Sequence, residues 1–338
     1  MTAHVGIIWN PSKTTRHDLE SGLDKAIASA SNDSASNDSA SNDSASNGSA
    51  PTGPEVHWFE TSEDDAGQGA AARAIEAGAD VLVVAGGDGT VRAVAEHLAG
   101  LESGADGGVE LGIVPLGTGN LLARNLGVPL NDIPAALTRA LTAEARVIDV
   151  GWLEIDLDGA TERHAFAVMA GFGLDAHMIT ETDDDLKDKV GWLAYVESMG
   201  RALTASDTLE ARIVADDQPL DQVSVHTLLV GNCGTLQGGF NLLPDADPGD
   251  GELDLLVLSA DDAAGWADTL RNMVWDNGIK RLATGGDVAE SSESATHLRL
   301  RDLRVDLLEP RVFEIDGEDL GETTKVAITV QPGAVRVR

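Results

Sequence analysis

Short apolar runs alternate with amphipathic stretches along the first part of the chain, up to about residue 147. The runs VGIIW, VHWFET, VLVVA and VELGIVP have the length of buried strands, and each ends at residues that turn the chain. Stretches with helical spacing follow the first three of them, over residues 16–30, 66–79 and 91–100. This order predicts an α/β domain with a doubly wound parallel sheet.

The pattern changes after residue 147, where strand-like runs follow one another with turn residues between them. Only residues 187–203 and the stretch AAGWADTLRNMVW have helical spacing in this half. We therefore predict a second domain over 148–319, a mostly antiparallel β-sandwich. The last run, 320–338, is a candidate to return to the first domain, 1–147.

Residues 31–50 repeat a five-residue unit of small polar residues without a large apolar member. Such a segment has nothing to bury, so we predict a flexible surface loop. The simplest interpretation is an expanded loop that the fold tolerates.

Charge excludes one class of partner. The chain has 57 acidic and 23 basic residues, a formal net charge of −34, and no basic patch with interleaved aromatics. A surface of this sign repels nucleic acid. High acidity with only six lysines fits a salt-rich cytoplasm or a GC-rich genome, and the composition does not separate the two.

The chain has 42% hydrophobic residues, enough for substantial cores, and a single cysteine, Cys233, so no intrachain disulfide can form. It lacks a signal-peptide pattern and any apolar stretch of membrane-spanning length. We expect a cytoplasmic protein.

The segment GGDGT, residues 86–90, directly follows an apolar run. Gly86, Gly87 and Gly89 let the backbone turn sharply and approach a ligand, and we expect Thr90 to cap the next helix. Free amides at a helix start bind anions. A carboxylate beside phosphates needs a reason of its own, so Asp88 is expected to bind Mg²⁺ or to accept a proton from an attacking hydroxyl. The alternative is a tight turn with a capping aspartate.

A second loop of the same kind follows the fourth run, at PLGTGN. Its residues are Gly117, Thr118, Gly119 and Asn120. Parallel strands present their carboxyl ends at one sheet edge, where ligands of open α/β sheets bind. Asn10, Thr61 and both glycine loops should therefore meet there.

With these two loops the chain resembles the diacylglycerol kinase catalytic family, the lipid kinases that include bacterial diacylglycerol kinases and sphingosine kinases. The resemblance implies an ATP- and Mg²⁺-dependent kinase that phosphorylates a lipid hydroxyl, with diacylglycerol the first choice of substrate. It places Asn10, Thr61 and the residues of both glycine loops against the nucleotide.

The resemblance extends into the second half, through GFGLDA at 171–176 and the stretch 231–258. It makes Asp247, Asp250 and the Glu252 carbonyl candidate ligands of a structural Mg²⁺, and oxygen donors suit this hard cation. An acidic turn that binds nothing is the equal alternative.

The segment DGE near the C-terminus also matches the family. By resemblance, Asp316 and Glu318 face the phosphates as base or magnesium ligand. The base is left open between Asp88 and Asp316. The chain departs from the family at Leu121, where many members have aspartate.

Two other functions stay open. An NAD kinase shares the loop GGDG, but the Asn-Glu dipeptide expected of that class is absent. A regulator that binds nucleotide or lipid without catalysis is the other, and Leu121 favours it slightly.

We expect the lipid substrate to be taken from a membrane surface, with transient association at the inner membrane face. The stretch 187–203 has Trp192, Tyr195 and Met199 on one helical face and is a candidate docking helix, although packing on the sheet is the simpler interpretation. The identity of the lipid and a homodimer both stay open.

Overall fold

The structure is a computed structural model, and it describes residues 4–38, 54–101, 108–173, 209–220, 223–236, 241–258 and 295–338. The chain forms two compact units. Unit 1 consists of residues 1–148 and 333–338, and unit 2 of residues 149–332. Of the last predicted run, 320–332 belong to unit 2 and only the final six residues belong to unit 1.

Unit 1 contains a parallel sheet in the order β4, β3, β1, β2. Its strands are β1 (His4–Trp9), β2 (Glu55–Glu60), β3 (Val81–Gly86) and β4 (Glu110–Pro115). Every residue of β3 is buried, which explains why its sequence is a continuous apolar run instead of an alternating one. The predicted α/β class of this unit is confirmed.

Helices follow the strands of unit 1. They are α1 (Arg16–Asp38), α2 (Gln68–Glu76), α3 (Asp88–Ala99), α4 (Leu121–Asn125) and α5 (Ile133–Thr142). The last of these was not predicted, although its start has the residues of a helix N-terminus. The Asp132 side chain accepts a hydrogen bond from the Ala135 amide at 3.0 Å, and Pro134 stands in the first turn.

Two local predictions need correction. Helix α1 continues through Asp38, so residues 31–38 of the polar repeat are helical and not loop. A helix already started by residues 16–30 adds one backbone hydrogen bond for each further residue, which favours its extension without an apolar face. Helix α3 begins at Asp88 after Gly87, so Thr90 lies within its first turn and does not cap it.

The C-terminal residues complete the unit 1 sheet. Arg336 and Val337 pair in parallel with Glu110 and Leu111 of β4. The Glu110 carboxylate accepts hydrogen bonds from Arg338 Nε at 2.5 Å and from Arg336 Nη2 at 3.1 Å. The final residues are thus attached by strand pairing and by charge.

Unit 2 is rich in β-structure. Its elements are β5 (Arg146–Leu157, which starts in unit 1), β6 (Ala160–Phe166), β7 (Met169–Phe172), β8 (Leu209–Ala215), β9 (Gln218–Pro219), β10 (Val223–Val225), β11 (Thr227–Gly231), β12 (Leu253–Leu258), β13 (Ala295–Leu300), β14 (Asp302–Ile315) and β15 (Glu318–Val337, which ends in unit 1). Neighbours pair antiparallel, as β11 does with both β7 and β12. The second domain is therefore of the predicted mostly antiparallel class.

Alternating apolar side chains from these strands form one core in unit 2. Phe172 of β7 and Phe313 of β14 lie in it with ring centroids 6.3 Å apart, within the range for favourable ring contacts. Both side chains are nearly inaccessible to solvent. The predicted helical stretches 187–203 and 263–275, and residues 174–176, lie outside the described residues.

A two-residue turn at Asp316 and Gly317 joins β14 to β15. Both residues have positive φ, 48° and 85°. This combination matches the hairpin turn whose twist fits antiparallel strands, and Asp-Gly is one of its preferred sequences. The DGE segment is thus a hairpin tip whose backbone conformation is set by the strands.

Candidate functional site

The predicted nucleotide loops of unit 1 lie at the carboxyl ends of β1 to β4, as expected. Backbone hydrogen bonds join them in sequence across the sheet. The amide of Asn10 donates to the Ala85 carbonyl at 3.0 Å, and the amide of Thr61 donates to the Trp9 carbonyl at 3.0 Å. The loop segments are therefore held along one edge by the backbone itself.

Asn10 and Thr61 differ in how their side chains are placed. The Asn10 carboxamide oxygen accepts hydrogen bonds from the Ser12 amide at 2.9 Å and the Ser12 hydroxyl at 2.7 Å, so it stabilises its own turn. Thr61, in contrast, is buried, with 5% of its surface exposed. A nucleotide contact by either residue stays a prediction.

The first glycine loop is short because α3 begins inside it. Gly87 has extended backbone geometry, and its carbonyl accepts the Val91 amide at 3.1 Å. A Cβ on Gly86 would lie 2.8 Å from the Thr90 Cβ, so glycine allows Thr90 to pack against the strand end. Residues Gly87 to Thr90 thus form the start of a 12-residue helix, where amides and the helix dipole attract anions.

Asp88 connects the two glycine loops. Its Oδ2 accepts the Asn120 amide at 2.7 Å, and its Oδ1 accepts the Leu121 amide at 2.5 Å. We call this pair of hydrogen bonds the loop clasp. The backbones also meet, because a Cβ on Gly117 would lie 2.8 Å from the Gly87 Cα. Glycine is required where one loop crosses the other this closely.

Asn120 shapes the second loop from within. It adopts the left-handed conformation, with φ 49° and ψ 46°, which asparagine tolerates better than most residues. Its Oδ1 accepts the Gly117 amide and its Nδ2 donates to the Gly117 carbonyl, both at 2.8 Å. The side chain therefore satisfies the loop backbone, while Thr118 at the tip is exposed.

Burial raises the pKa of Asp88. The Leu121 and Asn120 amides and the nearby Arg124 guanidinium oppose this shift, but desolvation prevails. Arg124 is held beside the clasp by a hydrogen bond from its Nε to the Gly119 carbonyl at 2.6 Å. Two of the roughly four lone-pair positions of the carboxylate are used by the clasp, so it keeps capacity to accept a proton.

Asp316 and Glu318 belong to unit 2. The Asp316 carboxylate is 6% exposed and accepts three backbone amides at 2.9 Å, those of Ala167, Val168 and Met169. Glu318 is exposed at the start of β15. The structure thus separates the pair into a buried, fixed carboxylate and a solvent-facing one, a distinction that the sequence does not show.

Asp149 was missed by the sequence reasoning. It is 2% exposed, and its Oδ2 accepts the Gly251 amide at 2.7 Å. Its carbonyl accepts the side-chain Nδ2 of the buried Asn232 at 2.8 Å. A signal for Asp149 was present in the run RVIDVGWL, where a carboxylate interrupts buried apolar positions.

The acidic turn at 247–252 uses its carboxylates locally. Asp247 Oδ1 accepts the Gly249 amide and Asp250 Oδ1 accepts the Glu252 amide, both at 3.0 Å. Arg299 lies 3.6 Å from Asp250 Oδ2, and Arg301 lies 3.4 Å from Glu252 Oε1. Among the described residues no group of three or more acidic, histidine or cysteine side chains is arranged to hold a metal ion. A Mg²⁺ site formed by Asp247, Asp250 and the Glu252 carbonyl stays a prediction, and we assign no metal step to the turn.

Next to this turn, burial raises the pKa of Asp254 to about 7. Arg299 opposes the shift, and the neighbouring carboxylates of Asp245, Asp250 and Glu252 add to it. Burial also lowers the pKa of His297 on the adjoining strand. The turn is therefore a region of crowded negative charge that Arg299 and Arg301 partly compensate.

No helix in the described ranges is long and apolar enough to cross a membrane. The predicted membrane-docking stretch 187–203 is not among those ranges, so peripheral association stays a prediction.

Comparison with known proteins identifies the family. Residues 32–153 match the diacylglycerol kinase catalytic domain, and residues 167–338 match the YegS C-terminal NAD kinase beta sandwich-like domain. Two proteins named "Probable lipid kinase YegS-like" are each 34% identical over 277 residues, 82% of this chain. The one from Stenotrophomonas maltophilia (strain K279a) is covered over 84% of its length, and the one from Pseudomonas aeruginosa (strain UCBPP-PA14) over 82%.

A crystal structure of a diacylglycerol kinase from Bacillus anthracis str. Sterne shares the fold. It is 22% identical, has a TM-score of 0.63, and the alignment covers 99% of this chain and 96% of that one. With both domains matched and relatives aligned over most of their length, the chain belongs to the YegS-like lipid kinases, which have a diacylglycerol kinase catalytic domain.

Proposed function

We propose that this lipid kinase transfers the γ-phosphoryl group of ATP, taken up as its magnesium complex, to the hydroxyl group of diacylglycerol. The observation that supports it best is the loop clasp. It holds two glycine loops together at the carboxyl edge of a parallel sheet, with the start of α3 in one and of α4 in the other. The start of the 12-residue helix α3 suits a phosphate group, and the clasp places the second glycine loop beside it.

We infer that Asp88 is the proton acceptor. Its pKa is raised by burial, and a stronger base accepts the hydroxyl proton more readily. As the lipid oxygen bonds to the γ-phosphorus, its proton moves to the Asp88 carboxylate. The bond from the γ-phosphorus to the β–γ bridging oxygen breaks, and ADP leaves. Arg124 and the start of α3 stabilise the negative charge that develops on the phosphoryl oxygens.

Asp316 is the second carboxylate that we assign to the reaction, with Glu318 beside it at the hairpin tip. Three amides fix Asp316, which makes it a rigid group and a less available base than Asp88.

Leu121 bears on the alternative that the protein is an inactive regulator. It contributes only its backbone amide to the clasp, which any residue except proline supplies, so its side chain gives little support to that alternative.

The test is phosphate transfer from γ-labelled ATP with Mg²⁺ to diacylglycerol in mixed micelles, beside sphingosine, ceramide and NAD⁺. We expect labelled phosphatidic acid. Label on NAD⁺ alone would support the NAD kinase alternative. Label on a sphingoid base would show that this base, and not diacylglycerol, is the substrate. ATP binding by calorimetry without transfer to any acceptor would make the protein a regulator.

The matched variants are Asp88→Asn, which should abolish transfer, and Asp132→Ala, which removes a cap of α5. The second variant loses a hydrogen bond of similar type at 3.0 Å, between two residues that belong to neither glycine loop. We expect Asp132→Ala to keep its transfer rate.

A further inference from the structure

Asn232 is a buried polar residue that the proposed reaction does not use. It follows β11 and is 1% exposed. Its Nδ2 donates to the Asp149 carbonyl at 2.8 Å and to the Ala167 carbonyl at 3.1 Å, and its own amide donates to the Val168 carbonyl at 2.8 Å. All of its donors therefore point at backbone carbonyls.

Two of these carbonyls belong to the peptide groups that hold Asp316. The peptide unit with the Ala167 carbonyl carries the Val168 amide, and the unit with the Val168 carbonyl carries the Met169 amide. Both amides donate to Asp316 Oδ1 at 2.9 Å. Two hydrogen-bonded paths thus run from Asn232 through single peptide units to one carboxylate oxygen.

Hydrogen bonds in such a chain polarise one another, so a donor at the carbonyl strengthens the amide at the other end. They also fix the tilt of each peptide plane, which sets the direction in which its amide points. The orientation of Asp316 therefore depends on this arrangement as well as on its own hairpin turn, where φ is 48°.

The rest of the Asn232 side chain adds little to stability. Among the described residues its Oδ1 has no hydrogen-bond partner although it is buried. A buried acceptor without a partner offsets much of what the two Nδ2 bonds contribute. What asparagine supplies at this position is the Nδ2 donor to the Ala167 and Asp149 carbonyls, and not a net gain in folding energy.

We propose that Asn232 is a positioning residue for Asp316, acting through the peptide groups of residues 167–169. This inference rests on the proposed kinase function, because its main readout is turnover. It assigns Asn232 no contact with ATP or lipid.

The experiment is a double-mutant cycle on phosphate transfer with Asn232→Leu and Asp316→Asn. Leucine has a similar shape and keeps the backbone amide that donates to the Val168 carbonyl, but it lacks the two Nδ2 donors. We expect Asn232→Leu to lower kcat by roughly 10- to 100-fold with the KM for ATP changed less than about twofold. In the Asp316→Asn background the same change should cost less than about twofold. Equal losses in both backgrounds would overturn the proposal, as would a raised KM at unchanged kcat or no loss at all.

Cys233→Ala is the matched control, because Cys233 lies next to Asn232 and is equally buried. The change removes the thiol, which lies 3.6 Å from the Ala167 carbonyl, and keeps the Cys233 amide, which donates to the Val168 carbonyl at 3.1 Å. It should leave kcat within about twofold of the original. If Asn232→Leu does not fold, Asn232→Ser replaces it in the cycle.

A second readout does not depend on turnover. Amide hydrogen exchange over residues 167–169 should be faster in Asn232→Leu than in Cys233→Ala or the unaltered protein. If the unaltered protein transfers no phosphate to any acceptor, the proposed function fails, and exchange alone then decides the positioning role. Unchanged exchange would overturn it.

Discussion

The Asp88 carboxylate lies 2.5 Å from the backbone nitrogen of Leu121, a residue 33 positions further along the chain. A motif that looks self-contained is therefore half of a two-loop structure. The carboxylate faces the backbone of the second loop. A substitution of Asp88 therefore changes both the phosphate chemistry and the contact that holds the loops together.

Asp88→Asn should destabilise the protein as well as inactivate it. The amide presents one acceptor to two backbone donors, so one N–H group is left facing an NH₂ group. We expect a loss of about 1–3 kcal/mol in the free energy of unfolding, measured in urea. Asp132→Ala should cost about 1 kcal/mol without loss of transfer. A fully stable Asp88→Asn protein would mean that the clasp contributes nothing to folding.

The crossing of the two loops predicts unequal effects of alanine at two glycines. A Cβ on Gly117 would lie 2.8 Å from the Gly87 Cα, whereas a Cβ on Gly87 would lie 3.5 Å from the Gly117 Cα. Gly117→Ala should therefore cost about 1–3 kcal/mol in stability because backbone must move. Gly87→Ala should cost less than about 1 kcal/mol. Thermal unfolding compares the two, and equal losses would show that the loops separate easily.

Glu110 should make the attachment of the C-terminus sensitive to acid. Burial raises the pKa of Glu110, but hydrogen bonds from Arg338 and Arg336 outweigh this and leave it lowered. A lowered carboxyl pKa stabilises the fold above the unfolded value, near 4.3, and this contribution is lost as pH falls through the folded value.

The variant Glu110→Gln should thus lose about 1–2 kcal/mol of stability at pH 7, with the difference from the original protein shrinking below pH 4. Urea unfolding at a series of pH values measures it. Arg338→Gln is the companion variant and should show the same pH dependence, since it breaks the same pair. A difference that persists at low pH would point to packing and not to charge.

Asp254 should have the opposite pH dependence. Burial raises its pKa to about 7, so the folded protein holds a proton that the unfolded chain releases near 4. Stability from this group is complete below pH 4 and falls as pH rises to about 7, by up to ~4 kcal/mol. Asp254→Asn should remove this slope and stabilise the protein at pH 8, measured with a chelator present. A slope that survives the substitution would exclude Asp254 as its source.

The net charge of −34 should make folding depend on salt. Repulsion among surface carboxylates is screened within about 3 Å at 1 M salt, compared with about 10 Å at 0.1 M. We expect the free energy of unfolding to rise by at least ~1 kcal/mol between 0.1 M and 2 M KCl. A protein equally stable at both concentrations would favour genome composition over a salt-rich cytoplasm as the origin of the acidity.

Much of the fold could be predicted from local pattern. Continuous apolar runs followed by Gly, Asn or Pro determine strands and turns, because both depend on near neighbours in the chain. Since β1 to β4 are parallel, the same pattern also brought Asn10, Thr61 and both glycine loops to one edge. Two local details were wrong, the loop assigned to residues 31–38 and the cap assigned to Thr90. Helix ends are poorly determined by single residues, because a helix that has started can extend through residues without an apolar face.

The sequence by itself determined the α/β class of the first part and the β-rich class of the second, the edge where the loops lie and the residue types available there. Only the tertiary structure decided which partner each polar group has. Asp88 accepts the Asn120 and Leu121 amides, and Asp316 accepts three amides. Asn232 donates to the Ala167 carbonyl, in a peptide group that holds Asp316. The reason is physical. Hydrogen bonds act over about 3 Å between groups far apart in sequence, and no periodicity along the chain records them.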